Sequence, residues 1–470
     1  MARNIRDNLV EKRRARVAAL GHAEGVGLPE KREAPLIPFL GANGLICEVK
    51  RRSPSRGDIA PGRDAAAQAA TFAGAGATNI SVLTEPEGFG GGLADLLAIK
   101  RAFPGLSLLR KDFLFDPEDI EVSWRAGADA VLLIAGMLAG GRLAELHRLT
   151  LALGMRALVE VHDRDDLGKA AAFSPDLVGV NSRDLSSFRI DPLLPAVVAS
   201  GIDWPATLVY ESGLWRGEQA DFAAACGFGG ILVGEAVMRR PELVGRFLSA
   251  LGNKRRDRFW PAVGHRLFRR RGPLVKICGL TRADDARLAA GLGADALGFV
   301  FCPGSPRRAR PDLLRDVREL EALKIGVVMV PSGSRSLPPE VGDLLADGWL
   351  DAVQFHGEEP PDACREMWPA YYKALKPSGV GDLRVAEDYF CPRLLLDAAG
   401  SGGTGKRVPE GVLDAWHRPL WLAGGIGPDN ASGIAAGRKP ELIDVASGVE
   451  SAPGIKDRSK LERLFKSLGV

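Results

Sequence analysis

Residues 45–57 read LICEVKRRSPSRG, an apolar, extended-leaning run interrupted at a two-residue spacing by Glu48 and Lys50. Side chains of a strand alternate between faces, so both charges point the same way as Ile46. If that face is a packed interior, each isolated charge costs several kcal/mol unless it is paired or wet. The stretch therefore asks for a setting in which an apolar layer gives way to a solvated rim.

Similar runs recur along the chain with helix-length stretches between them. After LICEVK come NISVLTE (79–85), SLLRKDF (107–113), AVLLIAG (130–136), RALVEVH (156–162), LVGVNSRD (177–184), TLVYESG (207–213) and GILVGEA (230–236). Strands alternating with helices pair in parallel, and eight of them point to a closed (β/α)8 barrel rather than an open sheet. The count restarts with LVKICG (274–279), ALGFVFC (296–302), KIGVVMV (324–330) and LDAVQFHG (350–357). AYYKALKP (370–377), RLLLDAAG (393–400), PLWLAGGI (419–426) and LIDVASGVE (442–450) complete a second set. Thr281 and Asp284 resemble a capping box that opens the helix after the first of these strands. The reading is two tandem (β/α)8 TIM barrels, 1–251 and 273–470, joined by a basic stretch, 252–272. That stretch, rich in Lys and Arg, reads as a solvated linker, with a nucleic-acid patch as the lesser alternative.

Bulk composition agrees. A chain of 470 residues is too long for one ordinary core, and its 46% apolar content with 57 glycines suits a turn-rich α/β protein. The formal net charge of +3 is near neutral for this length and carries no polyelectrolyte signature. Six cysteines without a CxxC pair argue against a disulfide framework or structural zinc, and fit a reducing cytoplasm. The basic N-terminal segment lacks a signal-peptide core and reads as a helix covering a barrel end.

In such barrels, chemistry sits at the C-terminal ends of the strands. Glu48 and Lys50 end the first strand, Lys111 the third, Glu160 the fifth, Asn181 and Arg183 the sixth and Glu211 the seventh. Any one alone reads as a salt-bridged strand end; three carboxylates and three cations converging on one mouth compensate each other and read as a site. Ser212, Gly213 and Gly234 follow the last two strands, where barrels often bind phosphate. In the second half Lys276 and Cys278 share one side of a strand, and the lysine is expected to favour the thiolate. A lone strand cysteine is otherwise inert core. Asp397 ends the sixth strand, ahead of AAGSGGTGK (398–406), which reads either as a flexible loop or as one folding over a substrate.

EVKRRSPS, LRKDF, LVEVH, GVNSRDL and YESG resemble the signature segments of indole-3-glycerol-phosphate synthase, in the same order and on the same strands. KICGLTR, SPRR, QFHG, LLDAAGSGGTGK, LAGGI and DVASGVESAPGIKD resemble phosphoribosylanthranilate isomerase. The resemblance spans nearly the whole chain, in the order of the fused synthase-isomerase enzymes of tryptophan biosynthesis.

For the first half it implies cyclisation of an anilino-deoxyribulose phosphate with loss of carbon dioxide and water. Lys111 matches the general acid and Glu160 the general base, while Glu48 and Asn181 match groups supporting dehydration. Lys50 matches a group facing the anthranilate carboxylate, and Glu211 lies with Asn181 and Arg183 around the sugar chain. Ser53, Ser212, Gly213 and Gly234 would hold the phosphate and Phe89 would contact the aromatic ring. Glu235 and Gly92 depart from the pattern, each standing where relatives have serine. For the second half the resemblance implies an Amadori rearrangement with Asp397 as acid and Cys278 as base. Arg307 matches a mobile anion-binding arginine, and Gly425, Ser447 and Gly448 a phosphate cradle. Gln354 and His356 shape the pocket.

Such substrates, bearing phosphate and carboxylate, need cations alongside proton donors and acceptors. The resemblance implies small-molecule substrates and no cofactor; charge, hydropathy and cysteine spacing add the expectation of no metal, no nucleic-acid or membrane partner and a cytoplasmic protein, with a monomer as one open state. Two alternatives stand against it: one active barrel beside a degenerate partner, or a noncatalytic phosphosugar sensor or scaffold. Neither needs a complete proton-transfer set in each half.

Overall fold

The computed structural model describes residues 5–41, 43–53, 57–183, 189–252, 258–331, 333–366, 370–400 and 405–469. Part of the glycine-rich loop 398–406 and part of GVNSRDL lie outside these residues, as do 253–257 of the basic stretch. The chain forms two compact units, Met1–Arg256 and Asp257–Val470.

In the first unit the barrel strands are β1 (Leu45–Val49), β2 (Asn79–Leu83), β3 (Ser107–Lys111), β4 (Ala130–Ile134), β5 (Arg156–Val161), β6 (Leu177–Asn181), β7 (Thr207–Glu211) and β8 (Gly230–Val233). Each pairs in parallel with its sequence neighbours, and β8 closes onto β1 with Leu45 opposite Ile231. The two-residue period builds the interior in layers. Ile46, Leu109, Leu158 and Val209 belong to one buried apolar cluster inside the barrel. Two residues further on, at the C-terminal rim, stand Glu48, Lys111, Glu160 and Glu211. Below, Phe39 and Leu40 join the same cluster, and the Leu40 N–H donates to Asn79 Oδ1 at 2.9 Å at the start of β2.

The N-terminal helix Ile5–Leu20 lies over the opposite, C-terminal mouth, where Leu9 lines the cavity. Its Arg13 is wholly buried and pairs with Asp119 Oδ1 at 2.8 Å and Glu24 Oε1 at 2.5 Å. Arg110, the outward-facing neighbour of Lys111, is also wholly buried and donates to Thr84, Ser123 and Asp112 at 3.1 Å each. A helix with so polar a sequence is held down by paired charges rather than by an apolar stripe.

The second barrel runs through β9 (Leu274–Cys278), β10 (Ala296–Val300), β11 (Leu323–Val328), β12 (Ala352–Phe355), β13 (Tyr371–Leu375), β14 (Leu394–Leu396), β15 (Trp421–Leu422) and β16 (Leu442–Val445). It too is closed and parallel, with Lys276 directly opposite Asp444 across the β9–β16 seam. Outward residues such as Val275, Ile277, Val353 and Ile443 pack against the helices. Inward ones include Lys276, Gln354, Tyr372 and Trp421, all 2% exposed or less.

Two expectations need correction. The stretch read as a solvated linker is, over Phe259–Arg269, a helix whose Phe259, Trp260 and Val263 are buried. Phe259 stacks on Tyr372 with ring centroids 6.2 Å apart, and Trp260 lies 5.9 Å from Trp421. Those aromatic partners sit at the beginnings of β13 and β15, so this helix plugs the N-terminal end of the second barrel. Its cationic residues mask an amphipathic face. The capping box is also absent: Arg282 is the N-cap of the helix Ala283–Gly291, and the Thr281 hydroxyl instead donates to Gly454 O at 2.6 Å.

Trp260→Ala should lower the stability of the second unit by about 3–5 kcal/mol through the cavity it leaves. Urea unfolding followed by hydrogen exchange of each unit's peptides should show the loss confined to Asp257–Val470.

Candidate active sites

At the first mouth Lys111 is enclosed by carboxylates: Glu211 Oε2 at 2.9 Å, Glu48 Oε2 at 3.5 Å and Glu160 Oε2 at 4.0 Å from its Nζ. Lys50 Nζ bonds the other oxygen of Glu48 at 2.8 Å. Glu48, Glu160 and Glu211 are each 3% exposed or less, so burial favours their neutral forms. The outcome differs among them. Burial pushes Glu48 up, but Lys50 and Lys111 outweigh it and hold the carboxyl below its usual range. For Glu160 burial is overcome by His162 and Lys111, bringing it down to about 2. For Glu211 burial and the neighbouring Glu160 charge win over Lys111, pushing it up to about 8. Burial opposes the charge of Lys111, yet Glu211, Glu48 and Glu160 together raise its pKa above the ordinary lysine value. The mouth thus holds an ammonium, ionised carboxylates and a carboxyl that titrates near neutrality, a set able both to give and to take protons.

Small residues make this crowding possible. A Cβ on Gly179 would lie 2.1 Å from Glu211 Oε1, and one on Gly234 would lie 2.6 Å from Glu48 Oε1. After β7, Ser212 and Gly213 both take positive φ, 69° and 73°. For a serine this is strained backbone, the kind that turns successive N–H groups toward one side. Ser53 and Arg183 line the same cavity, and the buried Ser53 Oγ has no hydrogen-bond partner among the described residues. Asn181 is 7% exposed and its Oδ1 accepts the Arg183 N–H at 3.0 Å, shaping the loop after β6. Phe89 lines the cavity on a loop pinned by Arg51, which donates to Gly90 O at 2.9 Å and to both oxygens of Asp95 at 2.6 and 2.8 Å. Asp95 in turn accepts the Gly92 N–H at 3.0 Å, and the space around Gly92 is open to a side chain. The Glu235 carboxylate accepts Arg239 Nε at 3.1 Å along its own helix.

In the second unit Cys278 and Asp397 line one cavity together with Arg307, His356, Gly425 and Ser447. Gly448 lies outside this lining; a Cβ on it would come within 2.0 Å of Ile426 O, so only glycine fits there beside Ser447. Arg307 is engaged with Glu450, its Nη2 2.7 Å from Oε2, and Lys456 Nζ lies 3.0 Å from Oε1. Asp397 is raised above the usual aspartate value, chiefly by burial, although its Oδ1 accepts the Ala398 N–H at 2.7 Å. Lys276, 3.5 Å from the Cys278 Sγ, pulls toward the thiolate as expected, but burial outweighs it and leaves the thiol raised, with Asp444, whose Oδ2 lies 2.6 Å from the lysine, adding to the rise. Gly298, opposite Cys278, leaves room: a Cβ there would meet Sγ at 2.6 Å.

A polar chain joins these groups. Gln354 Oε1 accepts from Lys276 and from the Tyr372 hydroxyl, the latter at 2.9 Å, so its amide nitrogen faces His356 Nδ1 at 3.2 Å. Burial, aided by Lys376, Lys276 and Lys373, brings His356 down to about 3, so the ring is neutral with its proton on Nε2, 3.6 Å from Asp397 Oδ2. Asp444 and Tyr372 escaped the sequence reading, since only barrel closure sets them beside Lys276. His162 and Asp166 escaped it too, although the E-V-H spacing places His162 on the face of Glu160. A possible ligand set for a metal, His22, Asp116 and Asp119, is already occupied internally, Asp119 Oδ1 pairing with Arg13 and with His22 at 3.0 Å.

Residues 34–248 match the family described as indole-3-glycerol phosphate synthase, and residues 275–467 the one described as N-(5'phosphoribosyl)anthranilate (PRA) isomerase. The chain is similar to the "Multifunctional tryptophan biosynthesis protein" of Schizosaccharomyces pombe, 30% identical over 465 residues covering 90% of this chain and 59% of that protein. It thus spans about three fifths of that relative's length. It is also similar to the "Tryptophan biosynthesis protein TrpCF" of Yersinia pestis, 32% identical over 435 residues covering 91% of this chain and 85% of that protein. Among solved structures, the phosphoribosyl anthranilate isomerase of Thermus thermophilus is 40% identical, with a TM-score of 0.36, over 42% of this chain and 98% of its own. Among the described residues no helix is long and apolar enough to cross a membrane.

With its thiol raised above the ordinary value of 9.0, Cys278 should be alkylated slowly near neutral pH and faster as pH rises. Iodoacetamide labelling read by peptide mass should show this; a rate already at its plateau at neutral pH would mean that Lys276 holds a thiolate after all.

Proposed function

Because the chain belongs to the fused family of indole-3-glycerol phosphate synthases and phosphoribosylanthranilate isomerases, we propose that it catalyses two consecutive steps of tryptophan biosynthesis. The second barrel isomerises phosphoribosylanthranilate to the carboxyphenylamino-deoxyribulose phosphate. The first barrel closes that product to indole-3-glycerol phosphate, releasing carbon dioxide and water. The observation that carries this reading is the enclosure of Lys111 by Glu48, Glu160 and Glu211, 2.9 to 4.0 Å away.

In the first barrel Lys111 protonates the substrate carbonyl as the aromatic carbon attacks. Loss of carbon dioxide from the attacking carbon restores the ring's aromaticity; Glu160, held as a carboxylate, then takes the proton released as water is eliminated, and Glu48 and Asn181 assist that dehydration. Lys50 faces the anthranilate carboxylate, Phe89 the ring, and Glu211 and Arg183 the sugar chain. Ser53, Ser212, Gly213 and Gly234 bind the phosphate; the unpartnered Ser53 Oγ and the left-handed turn at Ser212 support that assignment.

In the second barrel Asp397, whose burial favours the protonated acid, gives its proton to the ring oxygen as the ribose opens. Cys278 then removes a proton from the adjacent carbon. A cysteine protonated at rest must first lose its proton, and Lys276 and Lys456 are the cations that favour this against burial. Arg307 recognises an anionic group of the substrate, and Gly425, Ser447 and Gly448 hold the phosphate. The partners proposed are small molecules alone, and the chain acts as a cytoplasmic monomer with no cofactor invoked.

Lys111→Ala should cut ring closure by about 10²- to 10⁴-fold, the usual worth of a positioned acid or base, and spare isomerisation. Cys278→Ala and Asp397→Asn should do the reverse. The check is a purified-protein assay that starts from phosphoribosylanthranilate and follows both intermediate and indole product. Loss of both activities from one substitution in a folded protein would refute separate sites.

A further inference from the structure

The loop after β5 holds a group that the two reactions do not use. His162 is two residues beyond Glu160, on the same face, and its side chain is 10% exposed. Its Nε2 lies 3.2 Å from Glu160 Oε1 and its Nδ1 3.3 Å from Asp166 Oδ2. Asp166 is itself 4% exposed and well fixed. Its Oδ2 also accepts the His162 backbone N–H at 3.1 Å, and its own N–H bonds the N-cap Asp163 at 2.9 Å. Nδ1 hydrogen-bonds Asp166, while Nε2 lies within ion-pairing distance of Glu160 without an aligned hydrogen bond, so each ring nitrogen faces a carboxylate and the charged ring is favoured on both sides.

Resting on the synthase reading of this mouth, we propose that His162, oriented by Asp166, is a positioning residue that serves as a permanent cation beside Glu160 and keeps that base ionised and aimed into the cavity. Glu160 is otherwise in a hard place. It is buried, and its one lysine, Lys111, is 4.0 Å away and shared with Glu48 and Glu211. A second cation on the far oxygen leaves the near oxygen, Oε2, facing Lys111 and the cavity.

The charged groups around His162 are consistent with this. Glu160 and Asp166 face the ring directly. Lys111 stands behind Glu160, and Lys169 behind Asp166, its Nζ 3.8 Å from Oδ1 and bonded to Ala135 O at 2.8 Å. The adjoining turn Ala135–Met137 carries no titratable side chain, and a Cβ on Gly136 would sit 3.2 Å from Asp166 Oδ2, so this element crowds the carboxylate without neutralising it. Although burial opposes it, the two carboxylates bring His162 up to about 10, so the ring stays charged through the range in which the enzyme would work.

The experiment compares the wild-type chain with His162→Gln, which retains an amide donor but no charge, and with Asp166→Asn, which retains the hydrogen-bonding shape but no anion. Carbon-13 NMR of the glutamate carboxyls gives the ionisation of Glu160 without relying on activity. In His162→Gln it should move up by about one pH unit or more, the usual effect of losing an adjacent opposite charge. The acidic limb of kcat/KM for ring closure should move up by the same amount, with activity recovering at higher pH and isomerisation unchanged. Asp166→Asn should move both in the same direction, by less. A uniform fall in kcat with an unmoved acidic limb, or an unmoved Glu160 ionisation, would overturn the proposal. Absence of ring closure in the wild type would instead refute the synthase reading, leaving the NMR result to judge His162.

Discussion

The first barrel depends on a balance between desolvation and attraction at Lys111. Moving an ammonium and two ionised carboxylates, Glu48 and Glu160, out of water costs several kcal/mol for each ion. Opposite charges about 4 Å apart recover about 4 kcal/mol per pair at an effective dielectric near 20. One ammonium beside Glu48 and Glu160, with Lys50 and His162 on their far sides and the Glu211 carboxyl 2.9 Å away, therefore holds together where any single pair would be marginal. The arrangement also fixes where protons reside. Groups chemically alike, Glu160 and Glu211, are pushed in opposite directions because only one of them has a second cation.

The same constraint produces a different solution in the second barrel. There a lysine lies in the interior rather than at the rim, and Asp444 meets it directly across the seam where the last strand closes on the first. Asp444 offsets part of the pull that Lys276 exerts toward a thiolate at Cys278, and burial does the rest. Gln354 and His356 extend the network to Asp397, so base and acid rest on one continuous polar core. An interior with so many polar groups needs a dry floor, and Phe259 and Trp260 supply it against Tyr372 and Trp421.

Much of this was legible in the residues. Alternation at period two, with charges at Glu48, Lys111, Glu160 and Glu211 each following an apolar partner, named both the barrel and its rim. The helix Phe259–Arg269 was misread because composition counts cations and ignores which face they occupy. Thr281 looked like a cap because local spacing cannot know that a hairpin carbonyl, that of Gly454, would be nearer.

The chain's sequence by itself determined the number and direction of the strands, the end of each barrel that carries chemistry, and most of the residues there. These follow from periodicity and from the steric alternation of strand side chains, which act over a few residues. Only the tertiary structure decided the ionisation of those residues and their partners: the cation beside Glu160, the carboxylate that takes Lys276, the burial of Arg13. Such pairings join residues up to 168 positions apart, as in Lys276 and Asp444. Their strength depends on distance and dielectric, quantities that exist only once the barrels have closed.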